Sequence, residues 1–123
     1  MKVLLVDDTK TLTTLIKIYL MGWSMEFREE QNGARALDAA RTFKPDLVIS
    51  DIKMPVMDGF QLCTAIRSDS ILGKIPVILL THLEDDASRE KGLRAGATAF
   101  LTKPVAVEEL RRVVAKVLGL PLS

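Results

Sequence analysis

The chain has 123 residues, the usual size of one domain, and a chain of this length buries roughly two thirds of the surface that its unfolded form exposes. Its 17 lysines and arginines nearly balance its 16 aspartates and glutamates, and the net charge of +1 gives no general electrostatic reason to bind nucleic acid or an anionic membrane. The single cysteine excludes an internal disulfide, and no leader or long apolar segment indicates export or membrane insertion, so we expect one domain, residues 1–123, in the reducing cytoplasm.

Short apolar runs rich in Val, Ile and Leu alternate with segments of helical period along the chain. This alternation is typical of successive βαβ units, which form an α/β fold with a parallel sheet covered on both faces. The predicted strands, each followed by a helix, are residues 2–6, 25–29, 46–50, 76–80 and 98–101. The second strand contains several charged residues, which indicates the edge of the sheet.

Helical periodicity is clearest in the first and last helices, which we expect to pack on the sheet. The apolar positions are Leu12, Leu15, Ile16, Tyr19 and Leu20 in the first, and Leu110, Val113, Val114, Val117 and Leu118 in the last. Asn32 and Asp58, each followed by glycine, are predicted to open the second and third helices, and Gly96 to close the fourth. The fourth helix, about 84–95, has few apolar residues and an interior Gly92, so we expect it to move most readily.

Polar side chains stand at the ends of four predicted strands. The pair Asp7-Asp8 follows the first strand, Asp51 the third, Thr81 the fourth and Lys103 the fifth. Right-handed crossovers place the loops after parallel strands at one edge of the sheet, where ligands bind at the point of strand-order reversal. In the order 2-1-3-4-5 that point lies between strands one and three, so we expect the three aspartates to converge.

Three converging carboxylates repel one another unless a cation neutralises them. An all-oxygen site with room for water and phosphate favours Mg²⁺, so the sequence predicts a divalent ion held by Asp7, Asp8 and Asp51. The ammonium of Lys103 and the hydroxyl of Thr81 would match the charge that develops during phosphoryl transfer. We therefore interpret Asp51 as the residue that forms an aspartyl phosphate.

These residues lie in motifs that resemble those of the response-regulator receiver domain over essentially the whole chain. The motifs are Asp-Asp after strand one, Asp-x-x-Met-Pro-x-Met-Asp-Gly after strand three, Thr after strand four and Lys-Pro after strand five. The resemblance implies a flavodoxin-like doubly wound sheet, and the strand order 2-1-3-4-5 follows from it. It also implies a phosphoacceptor domain of two-component signalling, which is not an enzyme but assists its own phosphorylation and dephosphorylation.

The resemblance assigns metal-binding roles to four residues at this site. Asp51 is the expected phosphoacceptor and a Mg²⁺ ligand, Asp8 a direct ligand and Asp7 a ligand through water. The backbone carbonyl of Lys53 is expected to be a further ligand.

The resemblance also assigns the phosphoryl contacts and the switch. Thr81 is expected to hydrogen-bond the phosphoryl group and Lys103 to pair with it, while Pro104 holds the loop, with a cis bond as one option. Phe100 stands at the aromatic position that turns inward on activation, where receivers often carry Tyr. Thr81 and Phe100 are expected to shift together as the switch.

Simpler roles remain open for several of these residues. Asp8 immediately precedes a helix and could cap it, and Thr81 opens the capping-box sequence Thr-His-Leu-Glu. Phe100 could be ordinary core, and a lone loop histidine such as His82 is more often exposed than a proton carrier. Leu83 cannot position a hydrolytic water, so we expect slow self-dephosphorylation.

The expected partners follow from the same resemblance. A sensor histidine kinase or a histidine phosphotransfer protein would donate the phosphoryl group. The output would be a changed surface of the fourth helix, fifth strand and fifth helix, which could meet an output protein or a second copy of the chain. Candidate contacts there are Arg89, Lys91, Arg94, Glu108 and Arg112. We expect neither direct nucleic-acid binding nor membrane insertion.

Three other classes of protein were weighed against this function. A pseudo-receiver that binds partners without phosphorylation is the main alternative, although the intact acid, Thr and Lys set argues against it. A phosphotransferase of the haloacid dehalogenase type also forms an aspartyl phosphate, but expects Asp-x-Asp where this chain has adjacent Asp7-Asp8. A flavodoxin-like small-molecule binder needs a phosphate-cradling loop there, and two carboxylates would repel that phosphate.

Overall fold

Strands and helices alternate along the part of the chain that this computed structural model describes, residues 1–82 and 86–122 without the Asp86 side chain. The strands are β1 (Lys2–Val6), β2 (Glu26–Glu30), β3 (Leu47–Asp51), β4 (Val77–Thr81) and β5 (Ala99–Thr102). The helices are α1 (Lys10–Tyr19), α2 (Gly33–Phe43), α3 (Gly59–Ser68), α4 (Asp86–Ala95) and α5 (Val107–Leu118). The strands pair in parallel in the order β2-β1-β3-β4-β5, so the predicted α/β fold and strand order are confirmed.

Four strands, β2 to β5, end one residue later than predicted, and two of these ends belong to the expected site. Asp51 is the last residue of β3, opposite Leu80, and Thr81 is the last residue of β4, opposite Thr102. The apolar runs place these ends one residue too early because a polar residue can still pair its backbone with the neighbouring strand. The charged β2 lies at the edge of the sheet, as expected.

The sheet separates two apolar layers. In β4, Val77 and Leu79 face one layer and Ile78 and Leu80 face the other, as the alternation of side chains in a strand requires. The first layer packs under α2 and α3, and the second packs under α1 and α5. Cys63 is a buried free cysteine of the first layer, and burial raises the pKa of its thiol.

Side-chain caps fix the starts of two helices next to the site. Asn32 accepts a hydrogen bond from the amide of Arg35 at the start of α2. Asp58 and Gln61 form a reciprocal capping box at the start of α3, so both predicted helix starts are confirmed. The longest of these helices has 12 residues, and none in the described part is long and apolar enough to cross a bilayer.

Helix α4 contributes few apolar side chains to the core. Ala87 and Leu93 are both exposed, Leu93 at 63%. Gly92 is buried against the sheet, and Gly96, with a φ of +96°, follows the helix end as predicted. We therefore expect the amides of α4 to exchange with solvent faster than those of α5. Hydrogen-exchange mass spectrometry measures this, and equal protection of the two helices would contradict it.

Candidate functional site

Three carboxylates meet at the carboxyl edge of the sheet, beside β1 and β3. One ligand oxygen from each of Asp7, Asp8 and Asp51 lies within 4.8 Å of the other two. Asp7 and Asp51 are buried, whereas Asp8 is exposed. The structure thus brings the three predicted residues together, at a spacing where like charges repel strongly.

Lys103 supplies a positive charge to this cluster from the end of β5. Its Nζ lies 2.9 Å from Oδ2 of Asp51 and 3.7 Å from Oδ2 of Asp7. Its backbone N–H donates to the carbonyl of Thr81 at 2.7 Å, which ties this loop to the end of β4. The Lys103–Pro104 peptide bond is cis, the option that the resemblance left open. One ammonium against three carboxylates leaves two negative charges uncompensated.

The two oxygens of Asp7 have different surroundings. Oδ1 accepts hydrogen bonds from N and Oγ1 of Thr9, each at 2.8 Å. Oδ2 is buried and has no hydrogen-bond partner among the residues that the structure describes. A buried carboxylate oxygen without a donor is costly unless a cation compensates it. The cluster therefore fits a hard divalent cation such as Mg²⁺, which prefers carboxylate oxygens.

Thr9 is a site residue that the sequence analysis missed. It is the N-cap of α1, yet its hydroxyl does not cap the helix and instead donates to Asp7. An aspartate that accepts from the backbone two residues later is a common turn, so the spacing Asp-x-Thr carried a usable signal. Because Thr9 occupies the N-cap, the simpler role of Asp8 as the cap of α1 is not supported.

The loop after β3 closes behind Asp51. Oδ1 of Asp51 accepts from the amide of Ile52 at 2.8 Å, and the amide of Gly59 donates to the Ile52 carbonyl at 2.8 Å. A Cβ at Gly59 would lie closer than 3.0 Å to the carbonyl oxygen of Asp51. Glycine at this position therefore lets α3 begin directly against the strand that carries Asp51.

Thr81 and Lys53 line the same small cavity as Asp51. This cavity has a volume of about 20 Å³, and Thr81 is buried beside it at the end of β4. His82 is exposed and lines the cavity as well. Leu83 lies outside the described residues, as does part of the proposed capping box from Thr81 to Glu84, so the hydrolysis and capping interpretations stay predictions.

Phe100 lies apart from these groups. It lines neither of the two cavities that contain Asp51, and it is half-buried in β5, opposite Leu79. Its ring packs over Gly92 of α4. Phe100 is thus in contact with α4 and not with the carboxylates of the site.

An apolar groove of about 550 Å³ opens beside the carboxylates. Asp7, Asp51 and Lys103 line it together with Leu12, Leu15, Tyr19, Pro104 and Val105. The helical period placed Leu15 in the core, but its side chain is 38% exposed and faces this groove. The apolar face of α1 therefore covers both the contact with the sheet and part of the groove.

Comparison with known proteins finds one family that matches most of the chain. The family model of the response regulator receiver domain matches residues 3–115. The response regulator PleD of Caulobacter vibrioides is 36% identical over 104 residues, which is 85% of this chain and 23% of PleD. The alkaline phosphatase synthesis transcriptional regulatory protein PhoP of Bacillus subtilis is 31% identical over 117 residues, 95% of this chain and 48% of PhoP. The chain thus spans about a quarter to a half of the length of these relatives.

Solved structures are similar over nearly the whole chain. The chemotaxis response regulator CheY4 of Vibrio cholerae has a TM-score of 0.88 and 33% identity, covering 95% of this chain and 98% of that one. The receiver domain of the sensor histidine kinase PA1611 from Pseudomonas aeruginosa has a TM-score of 0.86 and 29% identity, covering 96% and 97%. That structure contains a magnesium ion coordinated in the active site cleft.

Proposed function

Since this chain belongs to the family of response regulator receiver domains, we propose that Asp51 takes up a phosphoryl group from the phosphohistidine of a sensor histidine kinase or a histidine phosphotransfer protein. Receiver domains are phosphoacceptor signalling modules rather than enzymes, and histidine kinases phosphorylate them. The observation that carries the assignment is the position of Asp51. It ends a central strand beside two further carboxylates, and its Oδ2 lies 2.9 Å from Nζ of Lys103.

The proposed cofactor of this domain is Mg²⁺. The carboxylates of Asp7, Asp8 and Asp51 would hold the ion, with the backbone carbonyl of Lys53 as a further ligand. When bound, Mg²⁺ would balance the charge of the carboxylates and of the phosphoryl oxygens. Two observations support this proposal: Oδ2 of Asp7 accepts no hydrogen bond from the described residues, and the PA1611 receiver domain contains a magnesium ion.

The proposed transfer uses a carboxylate oxygen of Asp51 as the nucleophile. A bond forms between that oxygen and phosphorus while the P–N bond of the donor breaks, and its electron pair stays on the imidazole nitrogen. The ammonium of Lys103 pairs with the phosphoryl oxygens, and the hydroxyl of Thr81 donates to one of them. Thr81 ends β4 and Lys103 directly follows β5, so the sheet places both groups beside Asp51.

The groove beside Asp51 is the proposed contact site of the donor protein. Leu12, Leu15 and Tyr19 present apolar surface next to the phosphoacceptor, which suits a helix that carries the donor histidine. A small phosphodonor such as acetyl phosphate would not need this surface. Because the phosphohistidine is made from ATP, the proposal places both proteins in the cytoplasm.

The proposed output surface consists of α4, β5 and α5. Arg89, Glu108 and Arg112 are exposed on its two helices. Lys91 and Arg94, which we also expected on this surface, are exposed as well and line a groove between α3 and α4. A joint shift of Thr81 and Phe100 would present this surface to an output protein or to a second copy of the chain.

Intact mass after incubation with acetyl phosphate tests the phosphoacceptor. We expect one added phosphoryl group on the wild type in Mg²⁺, and none in EDTA or in Asp51→Asn. Asp38→Asn is the matched control, because Asp38 is an exposed carboxylate on α2, and it should be phosphorylated like the wild type.

Two outcomes would overturn this assignment. Modification of Asp51→Asn would place the phosphoacceptor elsewhere. No modification of any variant, together with no binding of beryllofluoride, would favour an interaction module that works without phosphorylation.

A further inference from the structure

The inner face of α4 lacks a side chain where it meets the sheet. Gly92 is buried there, and a Cβ at this position would lie closer than 3.0 Å to Cε1 and Cζ of Phe100 and 3.5 Å from Cδ1 of Leu79. Contacts below 3.0 Å are essentially never seen for a Cβ, so the Phe100 ring occupies the space that any other residue would need. The ring rests directly on the helix backbone.

Stability of the helix alone does not account for this glycine. Gly92 has a helical conformation in the interior of α4, where glycine weakens a helix relative to alanine. Its φ is not positive, so the backbone does not require glycine. The reason for glycine here is the aromatic ring above it, since a Cβ would displace Cε1 and Cζ at the far end of that ring.

Phe100 is one of the side chains that the described part of α4 contacts in the rest of the fold. The exposed Ala87 and Leu93 do not anchor the helix. On the neighbouring residue, Nζ of Lys91 lies 4.8 Å from the centre of the Phe60 ring, which belongs to α3. Consecutive residues of α4 are therefore each in contact with an aromatic ring, one from α3 and one from β5.

The ring is also linked to the phosphoryl site through the sheet. Phe100 lies opposite Leu79, and two residues further along the same strand pair Thr81 lies opposite Thr102. Lys103, which contacts Asp51, follows directly. A change at Asp51 that shifts the end of β4 or β5 thus acts on the strands that support the ring.

We propose that Gly92 is a positioning residue: it forms a seat for the Phe100 ring, so that the ring and α4 move together when Asp51 is phosphorylated. This inference rests on the proposed function. Phosphorylation can shift the equilibrium between two positions of the ring and α4 only if the contact between Phe100 and Gly92 differs between the phosphorylated and unphosphorylated states. A Cβ at residue 92 must then change the affinity of the distant site for a phosphoryl analogue.

The first test is the affinity for beryllofluoride in the presence of Mg²⁺, measured by calorimetry on the intact chain. Gly92→Ala is expected to change the dissociation constant by about fivefold or more. Weaker binding would show that the ring lies against Gly92 in the beryllofluoride-bound state, and tighter binding that it does so in the free state. In a Phe100→Ala background the same substitution should have no effect on affinity. Leu93→Ala, on the exposed side of α4, is the matched control and should leave the affinity unchanged. A purely structural Gly92 would alter the melting temperature but not this affinity.

The second test remains informative even if Gly92→Ala alone does not fold. With Phe100 truncated, Gly92→Ala should raise the melting temperature, since the better helix former no longer meets the ring. With Phe100 present, Gly92→Ala should lower the melting temperature.

Equal shifts of the melting temperature in both backgrounds, or an unchanged affinity in a folded Gly92→Ala protein, would contradict the proposed role of Gly92. If the wild type does not bind beryllofluoride, the proposed function fails, whereas the two melting-temperature comparisons still decide whether the ring excludes a Cβ.

Discussion

At Asp7, two donors of Thr9 hold the same carboxylate oxygen, and this fixes the direction of the other oxygen. Partners that orient a metal ligand commonly account for ten- to hundredfold in affinity. Because Thr9→Val removes the hydroxyl but keeps the backbone N–H bond to Asp7, we expect Mg²⁺ binding to weaken by about tenfold, at the low end of that range. Calorimetric titration with Mg²⁺ measures this change.

The control for Thr9 is Thr42→Val. The hydroxyl of Thr42 also bonds locally, to the carbonyl of Ala39 in α2, but lies on a helix that contributes no carboxylate to the site. This variant should bind Mg²⁺ like the wild type. If both variants bound Mg²⁺ equally well, Thr9 would have no role in orienting Asp7.

Val56 adopts a backbone conformation that β-branched residues avoid. Its φ is +71°, the amide of Met57 donates to the carbonyl of Pro55 at 2.8 Å across it, and its side chain is 83% exposed. Such a conformation costs about 1–3 kcal/mol in a non-glycine residue, whereas glycine adopts it freely but loses about 0.5–1 kcal/mol through the flexibility of the unfolded chain. We therefore expect Val56→Gly to stabilise the fold by roughly 1 kcal/mol.

Denaturant unfolding of Val56→Gly measures this gain. Val107→Gly is the matched control, because Val107 is also an exposed valine but begins α5 without a positive φ, and its replacement should destabilise the protein. A loss of stability in both variants would show that the turn at Val56 is unstrained.

Among the secondary elements, α2 and α3 are linked through a carboxylate at the end of α3. Oδ1 of Asp69 accepts from the amides of Ile71 at 2.8 Å and Leu72 at 3.1 Å, and Oδ2 lies 3.2 Å from Nε of Arg41. The backbone bonds, with a smaller contribution from Arg41, hold the pKa of Asp69 below its usual range. Asp69 therefore stabilises the turn after α3 more strongly in its charged form than in its neutral form.

This lowered pKa makes the stability depend on pH in a defined direction. A carboxyl group whose pKa is lower in the folded state stabilises the fold above its unfolded pKa, and this contribution is lost as the pH falls through the folded value. Asp69→Asn should thus be less stable than the wild type at pH 7 and should lose less stability below about pH 4. Denaturation at pH 7 and at pH 3 measures both effects. An acid dependence identical to that of the wild type would contradict the role of Asp69.

At this scale, local patterns predicted the elements well. The apolar runs located each strand to within a residue, and Asn32, Asp58 and Gly96 marked helix ends because caps and turns depend on neighbouring residues. The convergence of the aspartates followed from the strand ends, since one topology brings those ends to one edge. These are short-range rules that a single sequence contains.

What the sequence did not predict depends on contacts between distant elements. The contact of Gly92 with Phe100 requires the rotation of α4 about its axis, which helical periodicity cannot fix in a helix with so few apolar residues. Leu15 fits the period of a core position, but in the fold it lines the groove together with Pro104 and Val105 of the loop after β5. The side on which Lys91 lies is likewise set by the packing of α4 against α3.

On the scale of the whole molecule, the site lies at the edge of the sheet between its two faces, and a different structural feature lies on each face. The groove beside Asp51 is lined by α1 and the loop before α5, on the face that those two helices cover. Phe100 packs with the opposite apolar layer, toward α4. A donor could therefore contact one face while the conformational change reaches the other, so the proposed input and output surfaces need not compete.

The uncompensated charge of the site should make the stability of the entire fold depend on Mg²⁺. Three carboxylates with ligand oxygens within 4.8 Å of one another repel in the folded state, and Lys103 balances the charge of only one of them.

Without Mg²⁺, Asp8→Asn should therefore stabilise the fold by about 1 kcal/mol, a modest value because Asp8 is exposed and water screens its charge. With saturating Mg²⁺ the wild type should gain more stability than the variant, because the free energy that a ligand adds to the fold rises with the logarithm of its affinity for the native state. Thermal unfolding in EDTA and in Mg²⁺ measures both effects, with Asp38→Asn as the control that should keep the wild-type response. A variant that is less stable than the wild type in EDTA would show that repulsion at the site is already relieved by the protein itself.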